Sequence, residues 1–189
     1  QIKTTFNFHK ENGLNSAIEM CNGQGACKKI IGGTMCPSYM VTRDEEHSTR
    51  GRANALRGYI SGNLASEDSM ERIREVLDLC VECKACKSEC PSNVDMTRLK
   101  YEFLYQYHQK KGYSLRDLVF GNYRKFAQVG SIMSPISNWA MRNDVLRKIL
   151  FSFIGIDHRR QIPEFAKTTF ANWYKINKHL FGSGKKNLT

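Results

Sequence analysis

Long apolar runs are missing from this chain. Nowhere do about 18 predominantly apolar residues follow one another, which excludes a membrane-spanning helix. No secretory leader is visible. Apolar–polar alternation of useful length is also lacking, so no strands are expected. Acidic residues are scarce in one half only. Residues 95–189 hold 6 Asp/Glu against 17 Lys/Arg, whereas residues 1–94 hold 12 of each. The whole formal net charge of +11 therefore lies in the second half. There is no initiator methionine at Gln1 and the chain closes on a Gly-Ser-Gly-Lys-Lys stretch, so it reads as a piece of a longer polypeptide.

Cysteine, by contrast, is plentiful. The seven cysteines fall in two groups, each ending in Cys-Pro. The second group, Cys80-x2-Cys83-x2-Cys86-x3-Cys90-Pro91, is the ligand run of a bacterial-type iron–sulfur cluster. The first, Cys21-x5-Cys27-x8-Cys36-Pro37, is a stretched and incomplete version of it. Without a secretory leader, spaced cysteines point to a reducing, cytoplasmic setting and to metal rather than disulfides. A structural zinc site is the competing use of such thiols, but four cysteines in eleven residues are packed more tightly than in most zinc ribbons.

Aligned on the second group, Cys21 matches Cys80, Gln24 falls where Cys83 would be, Cys27 matches Cys86, and Cys36 matches Cys90 after an insertion. In two-cluster ferredoxins the cysteine before proline ligates the other cluster. Crossing these ligands gives one set of Cys36, Cys80, Cys83 and Cys86, a full four-thiolate site for [4Fe–4S]. The other set is Cys21, Cys27 and Cys90, with Gln24 at the vacant corner. Three thiolates suit either [3Fe–4S] or a [4Fe–4S] whose fourth iron has a weaker ligand, and losing a thiolate raises the potential. With thiolates and clusters counted, the first half would become negative by roughly two charges per cluster.

The spacing predicts an all-helical protein. Short helices are expected over residues 13–20 and 50–60. A capping box at Asp68 and Glu71 opens the next, carrying Ile73, Val76 and Leu77. Asp95 starts another that carries Leu99, Phe103 and Tyr107 and ends at Gly112. Further helices are expected over 114–128, from Ser134 as cap with Pro135 at the first helical position, and from Asp144 as cap. The organisation predicted is a joining segment over 1–13, a two-cluster domain over 14–112, a basic helical extension over 113–181, and a mobile tail over 182–189. The duplicated motif suggests two helical halves related by a pseudo-two-fold.

Near the first motif, His47, Arg50 and Arg52 supply donors and charge that could tune a cluster, or simply a solvated helix start. Phe170, Trp173 and Tyr174 among lysines suit docking to another domain. Peripheral contact with an anionic membrane at its inner face is a second use, and nucleic acid is disfavoured.

Three stretches together carry a resemblance: Cys21-Asn22-Gly23-Gln24-Gly25-Ala26-Cys27, Met35-Cys36-Pro37-Ser38-Tyr39, and His47-Ser48-Thr49-Arg50-Gly51-Arg52-Ala53-Asn54. With the Cys80–Pro91 run they resemble the iron–sulfur segment of FAD-linked oxidases of the glycolate oxidase, D-lactate dehydrogenase and D-2-hydroxyglutarate dehydrogenase type. The resemblance implies an α-helical ferredoxin fold, an upstream flavin domain and a downstream cysteine-rich domain. It implies transfer of electrons from FAD to an acceptor, with FAD held only in the parent chain. No flavin fingerprint is visible here, and no residue can be assigned as a general base. Two alternatives stand beside this: a separate iron–sulfur subunit of a quinone- or heterodisulfide-linked reductase, and a three-cysteine cluster acting as a Lewis acid.

Overall fold

The computed structural model describes residues 3–64, 66–160 and 162–181. The regular elements among the described residues are all helical, with no strand among them. Contacts divide the chain into two compact units, Gln1–Gly112 and Tyr113–Thr189.

The first unit holds α1 (Leu14–Glu19), α2 (Pro37–Thr42), α3 (Thr49–Ile60), α4 (Glu67–Asp78), α5 (Ala85–Glu89) and α6 (Met96–Lys111). Burial orients the longer ones. α4 turns Met70, Ile73, Val76 and Leu77 inward, and α6 turns Met96, Leu99 and Phe103. Each such side chain contributes about 1.5–3 kcal/mol of transfer free energy. That exceeds the few tenths that separate ordinary residues in helix propensity. Ile18, Ala53 and Leu56 complete the core, and Cys21, Cys27, Cys36 and Cys86 belong to the same cluster. The thiols are thus part of the core wall rather than appended to it.

Side-chain caps fix where the helices begin. Ser48 Oγ accepts from Gly51 N–H at 3.0 Å and starts α3. Asp95 accepts from Arg98 N–H at 3.2 Å and starts α6, and Gly112 ends it at φ 78°. At α4 the structure differs from the sequence reading. Ser66, in extended conformation, caps by accepting from Ser69 N–H at 3.2 Å, and Asp68 lies in the first turn. Glu71 instead accepts from the Tyr107 hydroxyl and pairs with Arg74 at 2.9 Å.

The segment read as a joiner is pinned to this unit. Glu102, with no exposed surface, accepts from Thr5 N–H at 2.9 Å and Phe6 N–H at 3.0 Å. Arg98 lies 4.5 Å from the centre of the buried Phe8 ring and pairs with Glu11 at 3.0 Å. A buried carboxylate needs such donors, and here backbone supplies them.

The second unit contains α7 (Leu115–Gly121), α8 (Tyr123–Ile132), α9 (Ser134–Arg142), α10 (Asp144–Ile154) and α11 (Phe170–Asn177). The helix expected over 114–128 breaks at Asn122, whose side-chain amide donates to Leu118 O at 3.0 Å and ends the first piece. Asn143, not Asp144, caps α10, accepting from the N–H groups of Val145 and Leu146. Around α11, Phe170 stacks on Trp173 and Tyr174, with centroids 5.8 and 6.2 Å apart. Many apolar residues of this unit stay exposed, among them Ile132, Trp139, Phe153 and Phe170. No helix among the described residues is long and apolar enough to cross a membrane. The expected tail, 182–189, lies outside the described residues.

Candidate metal centre

Two cavities open inside the first unit. One is lined by Cys36, Cys80, Cys83 and Cys86, with Arg52, Ser38, Thr49 and Met96 beside them. The other is lined by Cys21, Cys27 and Cys90, with Gln24, Thr49 and Arg50. They enclose about 320 and 280 Å³ of empty space, mouths included. Cys21, Cys27, Cys36 and Cys86 are buried, Cys80 and Cys90 half-buried, and Cys83 exposed.

The delivery of Cys36 to the cavity of the second motif has a visible cause. Glu89, in the second motif, accepts from Thr34 N–H at 2.8 Å and Met35 N–H at 3.2 Å. These bonds hold the Cβ-free Gly33 so close that a Cβ there would stand 2.4 Å from Glu89 Oε2. They also pull the Glu89 carboxyl below the usual carboxylate range. Pro37 then starts α2, leaving Cys36 at its N-cap.

The first turn of α3 sits between the two cavities. Buried Thr49 lines both. Arg50 N–H donates to Cys27 Sγ at 3.3 Å, and Arg52 Nη1 donates to Cys36 Sγ at 3.4 Å. The same helix thus reaches one sulfur through a first-turn N–H, where the positive end of its dipole lies, and the other through a side chain. At the start of α6, the Met96 backbone N–H opposes the rise of the Cys86 thiol.

Burial pushes the Cys86 thiol up to about 11, with Cys80, Asp95 and Cys83 adding to the rise against the Met96 N–H. Burial likewise raises Cys27, against donors from Arg50 and Ser48. At Cys36 burial also pushes upward, but the Ser38 hydroxyl, the Arg52 charge and the Tyr39 N–H outweigh it, and the thiol falls below its ordinary value. Buried thiols of raised pKa become thiolates when a cation binds them.

Of the three residues singled out for tuning, Arg52 and Arg50 line the cavities and His47 does not. Its ring is held by Thr42 Oγ1 at 2.9 Å and lies 3.4 Å from Glu46, while its carbonyl accepts from Ser38 Oγ at 2.8 Å. The guanidinium of Arg50 turns to Glu45, at 2.7 Å. The Arg50 hydrogen bonds hold the Glu45 carboxyl down at about 2, helped by Lys28 and against slight burial. Thr49, Ser38 and Glu89 were missed from sequence. Only the Ser-Thr preceding Arg50 signalled a helix start there, and nothing local signalled the other two.

Gly51 makes this junction possible. A Cβ on it would stand 2.1 Å from Glu45 O, backbone that cannot swing aside. Gly51→Ala is expected to cost about 3 kcal/mol in denaturant unfolding. It should also displace the α3 start, read as lower iron uptake.

The donor set suits a thiolate-bound inorganic cluster: sulfurs converge on each cavity, and N–H and guanidinium donors aim at sulfur, as expected when that sulfur carries negative charge. A helical unit with two such cavities is the arrangement of a two-cluster iron–sulfur domain. Residues 19–95 match the family described as a 4Fe-4S dicluster domain. The chain carries such a domain, related to the iron–sulfur segments of D-2-hydroxyglutarate dehydrogenases and glycolate oxidases.

Over 172 residues, 72% of this chain, it is 24% identical to the D-2-hydroxyglutarate dehydrogenase of Escherichia coli (strain K12), covering 17% of that protein. It is 27% identical over 135 residues to the enzyme of that name from Pseudomonas putida, which is 54% of this chain and 13% of the relative. It is 35% identical over 85 residues to the probable glycolate oxidase iron-sulfur subunit of Bacillus subtilis (strain 168), 44% of this chain and 18% of the relative. The chain therefore spans less than a fifth of the length of these curated relatives. No solved structure matches it.

Proposed function

We propose that residues 14–112 are an α-helical ferredoxin domain that passes electrons from a flavin to an acceptor, within an FAD-linked 2-hydroxy-acid dehydrogenase of the D-lactate, glycolate or D-2-hydroxyglutarate type. The second site, Cys36, Cys80, Cys83 and Cys86, takes a [4Fe–4S] cluster. The first, Cys21, Cys27 and Cys90 with Gln24 at the vacant corner, takes a [3Fe–4S] or a three-thiolate [4Fe–4S]. Once bound, such clusters accept and release single electrons. The residues of the chain fix the sulfurs, neutralise part of their charge and keep water from the buried thiolates.

The observation that carries this reading is the sorting of seven cysteines into two cavities, each drawing its Cys-Pro cysteine from the other motif. The dicluster match and the dehydrogenase relatives support it. The relatives are longer chains, in keeping with a flavin domain upstream and a cysteine-rich domain downstream. In this reading the exposed apolar faces and basic surplus of residues 113–181 dock on those domains. The relative named as an iron-sulfur subunit favours a second assembly, in which the chain is part of a separate subunit meeting its flavoprotein as a partner.

Anaerobic reconstitution, with iron counting and low-temperature EPR, tests the reading. The expected result is about seven or eight irons per chain in two distinct spin systems, seven marking [3Fe–4S] at the first site. Gln24→Cys should then complete that site and lower its potential. Zinc without visible absorbance would end the redox assignment.

A further inference from the structure

Arg52 has no exposed surface. Each guanidinium nitrogen makes one hydrogen bond, Nε donating to Val76 O at 3.1 Å, Nη2 to Ser38 Oγ at 3.0 Å, and Nη1 to Cys36 Sγ at 3.4 Å. Among the described residues no carboxylate pairs with it. The neighbouring cations differ. Arg50 and Lys28 share Glu45, Lys100 pairs with Glu82 at 2.8 Å, and Arg57 pairs with Glu19 at 3.0 Å. Arginine stays charged at any working pH, and an unpaired buried charge is costly. The only anion its geometry offers is the sulfur of Cys36 and what that sulfur binds.

The two sites also differ in thiolate number. The second has four cysteines and the first three. At equal iron content the second would carry one more negative charge, and potential falls as negative charge rises. Among the described residues the first site receives no hydrogen bond at sulfur from a charged side chain. Cys27 accepts the backbone N–H of Arg50, whose guanidinium is turned to Glu45. The single uncompensated buried cation among these contacts therefore stands at the site with the extra thiolate.

We infer that Arg52 is the counter-charge of the fourth thiolate: it raises the potential of the second cluster toward that of the first, so that an electron can move between them without a large drop. This rests on the two-cluster assignment proposed above. Arg52 acts through the Cys36 sulfur and is a positioning and tuning residue.

The test is an anaerobic redox titration of the reconstituted chain, following each cluster by its own EPR signal. Arg52→Gln should cut the reduced-to-oxidised ratio of the second cluster at a fixed potential by about tenfold, which is about 59 mV for a one-electron couple. The first cluster should not move. Arg52→Lys, which keeps the charge, should shift the second cluster by less than about threefold. Arg50→Gln should leave the second cluster in place. An unmoved second cluster, equal shifts in both clusters, or equal shifts in the Lys and Gln variants would overturn the inference.

Because Arg52 also ties α3 to Val76, the wild-type chain provides a reading that needs no variant. Arginine carrying heavy nitrogen only in its guanidinium should give a nitrogen coupling on the second cluster's signal, stronger than any that Arg50 gives on the first. Absence of that coupling, with both clusters loaded, sinks the inference alone. A wild-type chain that binds no clusters removes the proposed function with it.

Discussion

Stripping iron from the reconstituted chain under anaerobic conditions should unfold the first unit and leave the second helical. Four of the thiols, Cys21, Cys27, Cys36 and Cys86, are core residues, in one cluster with Ile18, Leu56, Ile73 and Leu99. The segments that carry them hold little regular structure. α2 has six residues and α5 five, too short to persist alone in water. Metal–thiolate binding contributes on the order of 10 kcal/mol in structural zinc sites. A whole domain is stable by about 5–15 kcal/mol. Loss of two such cross-links therefore exceeds what the remaining contacts can hold. Far-ultraviolet circular dichroism should lose the share of α1–α6, and hydrogen exchange should report lost protection in α3, α4 and α6. α7–α10 should retain theirs. A helical signal unchanged by chelation would mean that the cavities are set by packing alone and that the clusters play no part in organising the fold.

The second large effect concerns which cluster each proline-flanked cysteine serves. Cys36→Ala should remove the same cluster as Cys83→Ala, although Cys36 lies in the first motif. Cys90→Ala should remove the same cluster as Cys21→Ala. In each case about half the iron is lost, and the surviving EPR signal identifies the site that remains. The expectation rests on Cys36 sharing a cavity with Cys80, Cys83 and Cys86, and Cys90 with Cys21 and Cys27. If Cys36→Ala instead left the signal that survives Cys21→Ala, each motif would serve its own cluster and the crossed scheme would fail.

Much of this was legible in the residues. The Cys spacing carried the two groups of thiols, because spacing within a motif is local geometry. Asp95 and Gly112 marked the ends of α6, since caps act within one turn. The N-cap positions of α4, α9 and α10 fall one or two residues before the caps read from sequence, Asp68, Ser134 and Asp144; at α4 and α10 several neighbouring Ser, Asp and Asn side chains could each cap. Ser66 and Asn143 prevailed by having extended backbone that turns the side chain onto the helix N–H groups. The break at Asn122 escaped notice because the apolar spacing runs on across it.

The sequence by itself determined seven thiols in a repeated pattern, a helical chain and a basic second half. These follow from composition and short-range periodicity. Only the tertiary structure decided that Glu89 captures the backbone of Thr34 and Met35, some 55 residues distant, that α3 starts between the two cavities, and that Arg52 is buried against Cys36 without an acidic partner. Such contacts depend on closing long stretches of chain. Their energies come from burial and charge that no local pattern records.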